Sequence, residues 1–509
     1  MERSRAEAIA LPVARPAFAA QELVWPLLVA LSTAAAIAPL WASELLPYQD
    51  APEHVAAVRV LADFHTPGPA FDKWFEIDLR RLEYLGFYLP AAAIAKVFGA
   101  DAAVRIMLSL IAVATSAAFW MFLGSFGRDR RLAVFAPAVF HTVPLYLGFF
   151  NFIESIPLAL ALVALTEREL RSATLRRAAW IAAGGAALLW LHPSGLAFAL
   201  GAGFALALTS GESWRKKIRA LAPWVPAILL LAFWAVRALA ARDGPGAVAR
   251  TLPRWLGPKD QILGLLRFGN VLAAHGDEIF VVALGALFAA AIAVGPKPRL
   301  DRSWRLPVLA ALSLVVYLAA PYDMGYMGYI HLRALPFLAF LVIASPSIAP
   351  GPATSAILAA VVALHIAFQT SVAAAYRAFD REAQVTELKQ VLHAAAPDRR
   401  LIALVFSTES HLFQYQSFLH FGAYYEIFRG GRARYNFAET PWTPIRFRHG
   451  NEPVALPRSW ELRPLELDIP RAVSDEDYVL VRTPGPEPDG FSMVTHAGRW
   501  ALYAPAARR

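Results

Sequence analysis

The stretch "SELLPYQDAPEHVAAVRVLADFH", residues 43–65, brings polar side chains into a chain that has just been apolar for the length of a membrane helix. The apolar block before it, residues 22–43, is long enough to cross the roughly 30 Å hydrocarbon layer of a bilayer. A first membrane helix is therefore predicted to end near Ser43. Just beyond that end, Asp50 and His54 lie four residues apart, which places them on one face of a helix.

Composition makes the whole chain a membrane protein. Of 509 residues, 57% are hydrophobic and 17% are charged, and the mean hydropathy is +0.45. That is too little polar surface to enclose a soluble core of this size. The chain has no cysteine, which excludes a disulfide scaffold, thiolate metal sites and cysteine nucleophiles.

Apolar blocks and helix breakers predict about eleven membrane spans. They lie at 22–43, 101–124, 132–150, 153–166, 178–191, 195–209, 220–240, 278–294, 306–320, 333–347 and 354–374. Short loops rich in Lys and Arg stay in the cytoplasm, and clusters such as "GRDRR" (127–131) fall on one side if the N-terminus is cytoplasmic. The net charge of +9 is therefore a topology signal, and we expect no nucleic-acid partner. The first block is predicted to be an uncleaved anchor rather than a signal peptide.

One apolar block does not fit as a span. Counting "EYLGFYLPAAAIAKVFG" (83–99) would put "GRDRR" outside, so the block is predicted to lie on the outer surface. The first external loop then runs over 43–100, and a second large external loop over 241–277. These belong to a membrane domain, residues 1–375.

The remaining residues, 376–509, are predicted to form a small external soluble α/β domain. Residues 376–398 have the pattern of an amphipathic helix and 411–428 that of a second, aromatic helix. "RLIALVF" (400–406), "YVLVRT" (478–483) and "MVTHAGRWALYA" (493–504) have the pattern of strands. The predicted fold class is a mainly α, polytopic membrane bundle with this domain at its C-terminus.

Three stretches carry a resemblance to a known family: Asp50 in its loop, "LEYLGFYLPAAAIAKVFGADAAVRIMLSLIAVA" (82–114), and "YIHLRALPFLAFLVIA" (329–344). Over residues 22–374 the layout resembles the GT-C superfamily of integral-membrane glycosyltransferases. It is most similar to the branch of dolichyl-phosphate-mannose protein mannosyltransferases and aminoarabinose transferases. The family usually pairs its first-loop acid with an adjacent Glu or a nearby aromatic residue, whereas here Gln49 and Ala51 flank Asp50, which leaves the acceptor class open.

The resemblance implies a transferase of the cell envelope. Its partners would be a polyprenyl-phosphate-linked sugar, membrane lipids, and a lipid, glycan or protein acceptor at the outer face. Such a transfer needs a base that deprotonates the acceptor and cations that neutralise the departing phosphate. Asp50 is the predicted base, and His54 is predicted to position the acid or a metal. The alternative is that Asp50 and Glu53 stabilise the start of a helix through its dipole.

Basic residues at the span entrances are candidates for the phosphate site. Arg333 can bind phosphate oxygens with its planar guanidinium, and His331 and Arg105 are predicted to assist it. The alternative for these residues is anchoring at the membrane interface. Asn151 and Glu154, in "NFIES" (151–155), are candidates for a second acid or a metal site. The alternative is that they are polar residues that fill space at the membrane interface. The cofactor is unknown, and a divalent cation is compatible with the pattern.

Asp50, Arg333 and the "NFIES" turn are predicted to meet in one external cavity, because all three lie at the same membrane depth. Two other functions stay open. One is a polysaccharide polymerase or ligase with a lipid-diphosphate donor, and the other is a non-catalytic membrane scaffold that presents its soluble domain. A secondary transporter fits less well, since it would need ionisable residues in the middle of its spans.

Overall fold

The computed structural model describes residues 16–240, 252–274, 276–294, 304–324, 327–457 and 459–506. Part of the predicted second external loop, residues 241–251 and 275, lies outside these ranges. In chain order the helices are α1 Pro16–Ile37, α2 Ala51–Ala62, α3 Phe71–Trp74, α4 Leu85–Phe98, α5 Ala100–Ser125, α6 Ala136–Phe140, α7 Val143–Tyr146, α8 Phe150–Arg171, α9 Leu175–Leu191, α10 Pro193–Thr209, α11 Trp214–Leu221, α12 Val225–Ala240, α13 Pro258–Leu266, α14 Gly276–Ala293, α15 Arg305–Ala319, α16 Leu335–Ala344, α17 Pro352–Ala383, α18 Val385–Ala394, α19 Tyr424–Arg429 and α20 Ile469–Ala472.

Within the described ranges, six helices are long and apolar enough to cross a membrane: Leu23–Trp41, Ala100–Ser125, Phe150–Arg171, Trp214–Arg237, Gly276–Ala293 and Pro352–Ala383. Four further apolar helices have 10 to 17 residues. The predicted block at 83–99 corresponds to one of these shorter helices, α4. The mainly helical fold is therefore confirmed, whereas the number of about eleven spans is not.

One predicted span is wrong. Residues 132–150 do not form a continuous helix but a 3-10 turn, Arg130–Phe135, followed by the short helices α6 and α7. Pro137 and Pro144 each sit near the start of one of these helices, and a proline has no N–H to donate to the preceding turn. Gly148 then takes a left-handed φ of +86°, which turns the chain into α8.

The strands are β1 Phe75–Ile77, β2 Asp323–Met324, β3 Met327–Gly328, β4 Arg400–Val405, β5 Arg432–Ala433, β6 Ile445–Phe447, β7 Tyr478–Arg482, β8 Phe491–Ala497 and β9 Trp500–Pro505. Five of them form one sheet in the order β5-β4-β7-β9-β8. β4 is parallel to β5 and β7, and β9 is antiparallel to β7 and β8. The predicted strands at 400–406, 478–483 and 493–504 all lie in this sheet.

The C-terminal region is tightly joined to the rest of the chain. β1 from the first loop pairs with β6, with Phe75 opposite Phe447, and one cluster of buried hydrophobic residues continues from Leu40 to Phe421 and Trp500. The predicted domain boundary at 375 falls inside α17, which runs on to Ala383. Helix α18 follows after Gln384 takes a left-handed φ of 52°. The C-terminal region therefore packs as an extension of the membrane helices.

The predicted aromatic helix over 411–428 is wrong for most of its length. Residues 411–420 form a loop, a 3-10 turn covers Phe421–Ala423, and regular helix is confined to α19. The loop is held by contacts with distant parts of the chain. The Ser417 hydroxyl donates to the Pro47 carbonyl at 2.9 Å, and the Ser410 hydroxyl donates to Glu382 at 2.6 Å. These long-range contacts replace the local bonds of a helix.

Candidate active site

A cavity of about 980 Å³ lies between the ends of the membrane helices and the C-terminal region. Its lining includes Asp50 and His54 from the first loop and α2, Asn151 from α8, Arg333 from the turn before α16, and His420 from the C-terminal region. The cavity thus contains Asp50, Arg333 and the first two residues of "NFIES", Asn151 and Phe152, which were expected to converge. It also contains groups from a part of the chain that sequence analysis had not connected with them.

Asp50 is held at the start of α2 by its neighbours. The Gln49 N–H donates to the Tyr146 carbonyl at 2.9 Å, and this brings the Asp50 backbone against Gly148. A Cβ on Gly148 would lie 2.6 Å from the Asp50 Cβ, so a glycine is required for this close approach. The Asp50 side chain makes no capping hydrogen bond to α2, and it lines the cavity instead. Helix capping therefore does not occupy this carboxylate.

Glu53, the other acid at the start of α2, is turned away into the protein. Its side chain is buried, and its Oε2 accepts a hydrogen bond from the Phe437 N–H at 3.0 Å. Burial, and then the charge of the nearby Glu426, raises the pKa of Glu53 well above its usual range. Glu53 thus links α2 to the C-terminal region.

His54 uses both of its ring nitrogens. Nε2 lies 2.7 Å from the Gly148 carbonyl and Nδ1 lies 2.9 Å from the Tyr88 hydroxyl. The carbonyl can only accept, so Nε2 carries the proton and Nδ1 accepts from Tyr88. Burial lowers the pKa of His54 to about 4, which keeps the ring neutral in this role. The ring also stacks on Phe150 with centroids 4.5 Å apart. His54 thereby fixes the Gly148 turn against which Asp50 packs.

Among the described residues that line the cavity, Arg333 is the arginine with the fewest partners. Among the described residues, no Asp or Glu forms an ion pair with it, its Nε is buried without a hydrogen-bond partner, and its guanidinium lies 5.2 Å from the centre of the Phe149 ring. The charge of Arg333 also acts on Tyr84 and His192, which line the same cavity. An anion entering here would find a guanidinium that no described carboxylate neutralises.

Asn151 and Glu154 differ in position although they are one turn apart on α8. Asn151 lines the cavity, and its buried Oδ1 has no hydrogen-bond partner in the described part of the chain. Glu154 is not among the described lining residues, and its Oε2 is also without a partner. In the part of the chain that the structure describes, no group of three or more His, Asp or Glu side chains could hold a metal ion. A metal site at these residues stays a prediction.

Arg105 is not among the described residues that line the cavity, and its predicted phosphate role stays a prediction. Its guanidinium donates to the carbonyl oxygens of Leu40, Ser43 and Glu44 and pairs with Asp101 at 2.6 Å. These contacts use its donors to hold the end of the first helix against α5. These contacts give Arg105 a structural role within the described part of the chain.

His331 is likewise outside the described lining of the cavity, although it is two residues from Arg333. Its buried ring lies beside Tyr317 and Tyr322, with centroids 5.4 Å and 5.8 Å away. The structure therefore brings together four of the seven candidate residues: Asp50, His54, Asn151 and Arg333.

The contribution of the C-terminal region to the cavity was not predicted from the sequence. His420, Arg434 and Tyr435 line the cavity, and the Nδ1 of His420 lies 3.2 Å from the Asp50 Oδ1. No spacing in the sequence connects position 420 to position 50, and the surrounding stretch had the pattern of a helix. The one available signal was the unusual number of polar side chains within an aromatic segment.

Replacement of Gly148 by alanine should disturb Asp50 directly. The new Cβ would collide with Asp50, and alanine is strained at a φ of +86°. We expect Gly148→Ala to lower stability by about 1–3 kcal/mol and turnover by about 10²-fold, as a displacement near 1 Å of a reacting group would. Gly490→Ala is the control, since Gly490 has a φ of +79° and nothing within 4 Å of its Cβ position. It should lose stability without losing turnover; equal activity losses in both variants would refute the steric argument.

The fold of this chain is similar to those of two solved glycosyltransferase structures. The crystal structure of ArnT, an aminoarabinose transferase, from Cupriavidus metallidurans in the apo state is similar over 96% of this chain and 99% of ArnT, with 10% sequence identity and a TM-score of 0.54. The cryo-EM structure of the arabinofuranosyltransferase AftD from Mycobacteria is similar over 94% of this chain and 41% of AftD, with 15% identity and a TM-score of 0.51. This chain has the GT-C fold.

The GT-C fold confirms the resemblance found in the sequence, at the level of the fold. No protein-family model matches the chain, and a comparison with curated proteins finds no match. Together with its apolar helices, the GT-C fold makes the chain an integral membrane protein.

Proposed function

We propose that this protein transfers a sugar from a polyprenyl-phosphate carrier to an acceptor at the outer face of the membrane. The observation that carries the proposal is that one cavity in a GT-C fold holds both a carboxylate that is not used for capping, Asp50, and a cation without a carboxylate partner among the described residues, Arg333. These are the two groups that glycosyl transfer from a phosphate leaving group requires.

The reaction can be written with these two side chains. Asp50 takes the proton from an acceptor hydroxyl, and the oxygen forms a bond to the anomeric carbon of the sugar. The bond from that carbon to the carrier's phosphate oxygen breaks, and its electron pair stays on the phosphate. Arg333 stabilises this charge through two parallel N–H···O bonds, which a guanidinium can form with phosphate.

His54 positions the acid in this proposal, which is one of the two roles predicted from the sequence; the other was to position a metal. Because both its ring nitrogens have protein partners, it acts by holding the Gly148 turn. Asn151 remains a candidate for binding sugar hydroxyls, since its buried Oδ1 has no hydrogen-bond partner among the described residues.

The C-terminal region bears on the two alternative functions. Because it supplies His420, Arg434 and Tyr435 to the cavity and pairs with the first loop through β1 and β6, it is built into the site. A scaffold that merely presents this domain would not need such contacts. A polymerase or ligase with a lipid-diphosphate donor uses the same chemistry, and the carrier decides between the two.

Lipid analysis of the host tests the proposal. Cells that carry Asp50→Asn in place of the wild-type chain should accumulate one polyprenyl-linked sugar, because the carrier is loaded but not unloaded. Mass spectrometry of the extracted lipids would identify the sugar and count the phosphates of the carrier. Purified wild-type protein in nanodiscs should consume the accumulated lipid. If no polyprenyl-linked sugar accumulates and none is consumed, the glycosyl-transfer proposal fails and the scaffold function replaces it.

A further inference from the structure

His420 is the residue of the C-terminal region that comes nearest to the proposed base. It immediately precedes the 3-10 turn Phe421–Ala423, and 4% of its surface is exposed. Its Nδ1 lies 3.2 Å from the Asp50 Oδ1. The contact has the distance of an ion pair without the angle of a hydrogen bond, and neither ring nitrogen has a hydrogen-bond partner among the described residues. Catalytic hydrogen bonds are often poorly aligned before substrate binds and tighten in the complex.

The His420 ring is held where it is by the surrounding structure. It stacks on Tyr435, with centroids 4.3 Å apart and ring planes 9° from parallel. Three residues earlier, the buried Ser417 hydroxyl donates to the Pro47 carbonyl, which ties the His420 loop to the segment that leads into Asp50. Two segments 370 residues apart are thus fastened together three residues before the Asp50–His420 contact.

A general base of this kind needs one oxygen fixed and the other free. The Gln49 Nε2 already donates weakly to Oδ1 at 3.5 Å. A second donor on Oδ1, from His420, would fix the plane of the carboxylate and leave Oδ2 to accept the acceptor's proton. The same donor sets the tautomer of the ring, since the protonated nitrogen is the one that faces the carboxylate.

We propose that His420 is a positioning residue for Asp50. Its Nδ1–H donates to the Asp50 Oδ1, and through this bond the C-terminal region completes the active site. This inference rests on the proposed function of Asp50. It also assigns the C-terminal region a chemical role, because removing His420 would leave the base in place but unoriented.

Other groups around His420 must be kept constant in any test of pH dependence. The titratable and charged side chains that face it from the first loop, α2 and the C-terminal region are Asp50, Glu53, His54, Arg434, Tyr435 and Glu461. His54 stays neutral because its pKa is about 4, and burial, together with the charge of Glu426, raises the pKa of Glu53. Neither residue is altered in the variants below.

The test compares three substitutions of His420 in the purified, full-length protein, with the lipid donor identified above. His420→Phe keeps the stacked ring and removes the donor. We expect its kcat to fall roughly 10–100-fold, as happens when a partner that orients a reacting group is lost. The KM for the lipid-linked sugar should be nearly unchanged. On the acid side of the pH profile, the kcat/KM of His420→Phe should begin to fall at a higher pH than that of the wild type. The reason is that the ionised carboxylate has lost a stabilising hydrogen bond.

Two amide variants separate positioning from packing. His420→Asn places an amide N–H near the position of Nδ1. It should restore most of the kcat and the acid limb of the wild-type pH profile of kcat/KM. His420→Gln places its amide near Nε2 and should not. This pair decides the matter even if His420→Phe folds poorly, since the two amides differ by one methylene.

His393→Phe is the matched control, because His393 is an exposed histidine of the same region that also lies against an aromatic ring, Phe428, with centroids 6.4 Å apart. It should leave kcat unchanged. Full activity of His420→Phe, or equal losses in His420→Asn and His420→Gln with no change of the acid limb, would overturn the positioning role while Asp50→Asn still abolishes transfer. If the wild-type protein transfers no sugar, the proposed function has failed and this inference falls with it.

Discussion

We expect Asp50→Asn to lower the turnover of lipid-linked sugar by about 10²- to 10⁴-fold, the range for loss of a general base. The substitution keeps the shape of the side chain and removes its ability to take a proton. Asp50 makes no capping hydrogen bond and no ion pair with an Arg or Lys among the described residues, so the fold should be nearly unaffected. The measurement is donor consumption by purified protein, together with thermal unfolding in the same detergent.

Asp63→Asn is the control for this prediction. Asp63 lies at the other end of α2, where its carboxylate pairs with Arg59 at 3.4 Å on a partly exposed surface. Such pairs contribute little to stability, and we expect turnover within about twofold of the wild type. An Asp50→Asn protein that transfers sugar at the parental rate would rule out Asp50 as the base.

The second large effect concerns Arg333. We expect Arg333→Ala to lower kcat/KM by about 10²- to 10³-fold, because the leaving phosphate loses its main charge partner. Arg333→Lys keeps the charge but lacks the planar fork, so its loss should be smaller, about tenfold. Initial rates over a range of donor concentrations would separate binding from turnover.

Arg463→Ala serves as the comparison for Arg333. Arg463 lies in the C-terminal region, its side chain is 70% exposed, and its nearest carboxylate, Glu466, is 3.6 Å away. Removing this charge should leave the kinetics unchanged. If Arg333→Ala and Arg333→Lys behave alike, the bidentate contact is wrong; if neither changes donor use, Arg333 is an interface anchor, as the alternative from the sequence had it.

The sequence predicted the membrane class and several helices well because these depend on local composition. The apolar blocks that became α5, α8 and α17 carry their signal in consecutive residues. The prediction of membrane spans failed where an apolar segment contains residues that break a helix. Residues 132–150 are apolar enough for a span, but Pro137, Pro144 and the left-handed Gly148 divide them into short turns. Apolar character alone does not distinguish a membrane span from a buried, broken segment.

The site was predictable where a polar side chain stands out against an apolar background. Asp50 and Arg333 each interrupt such a background, and both line the cavity. Arg105 carries the same signal, yet its donors are used by backbone carbonyls, a difference that depends on which chain ends pack nearby. His420 could not have been found in this way, because its position depends on the folding of a loop against Pro47.

A structure with a bound polyprenyl monophosphate would test the central claim most directly. The protein would be reconstituted in nanodiscs, and its cryo-EM map compared with and without the lipid. Our account predicts phosphate density in the cavity about 3 Å from the Arg333 guanidinium, with Asp50 facing the same space. Density at another helix end, or a lipid phosphate separated from Asp50 by packed protein, would contradict it.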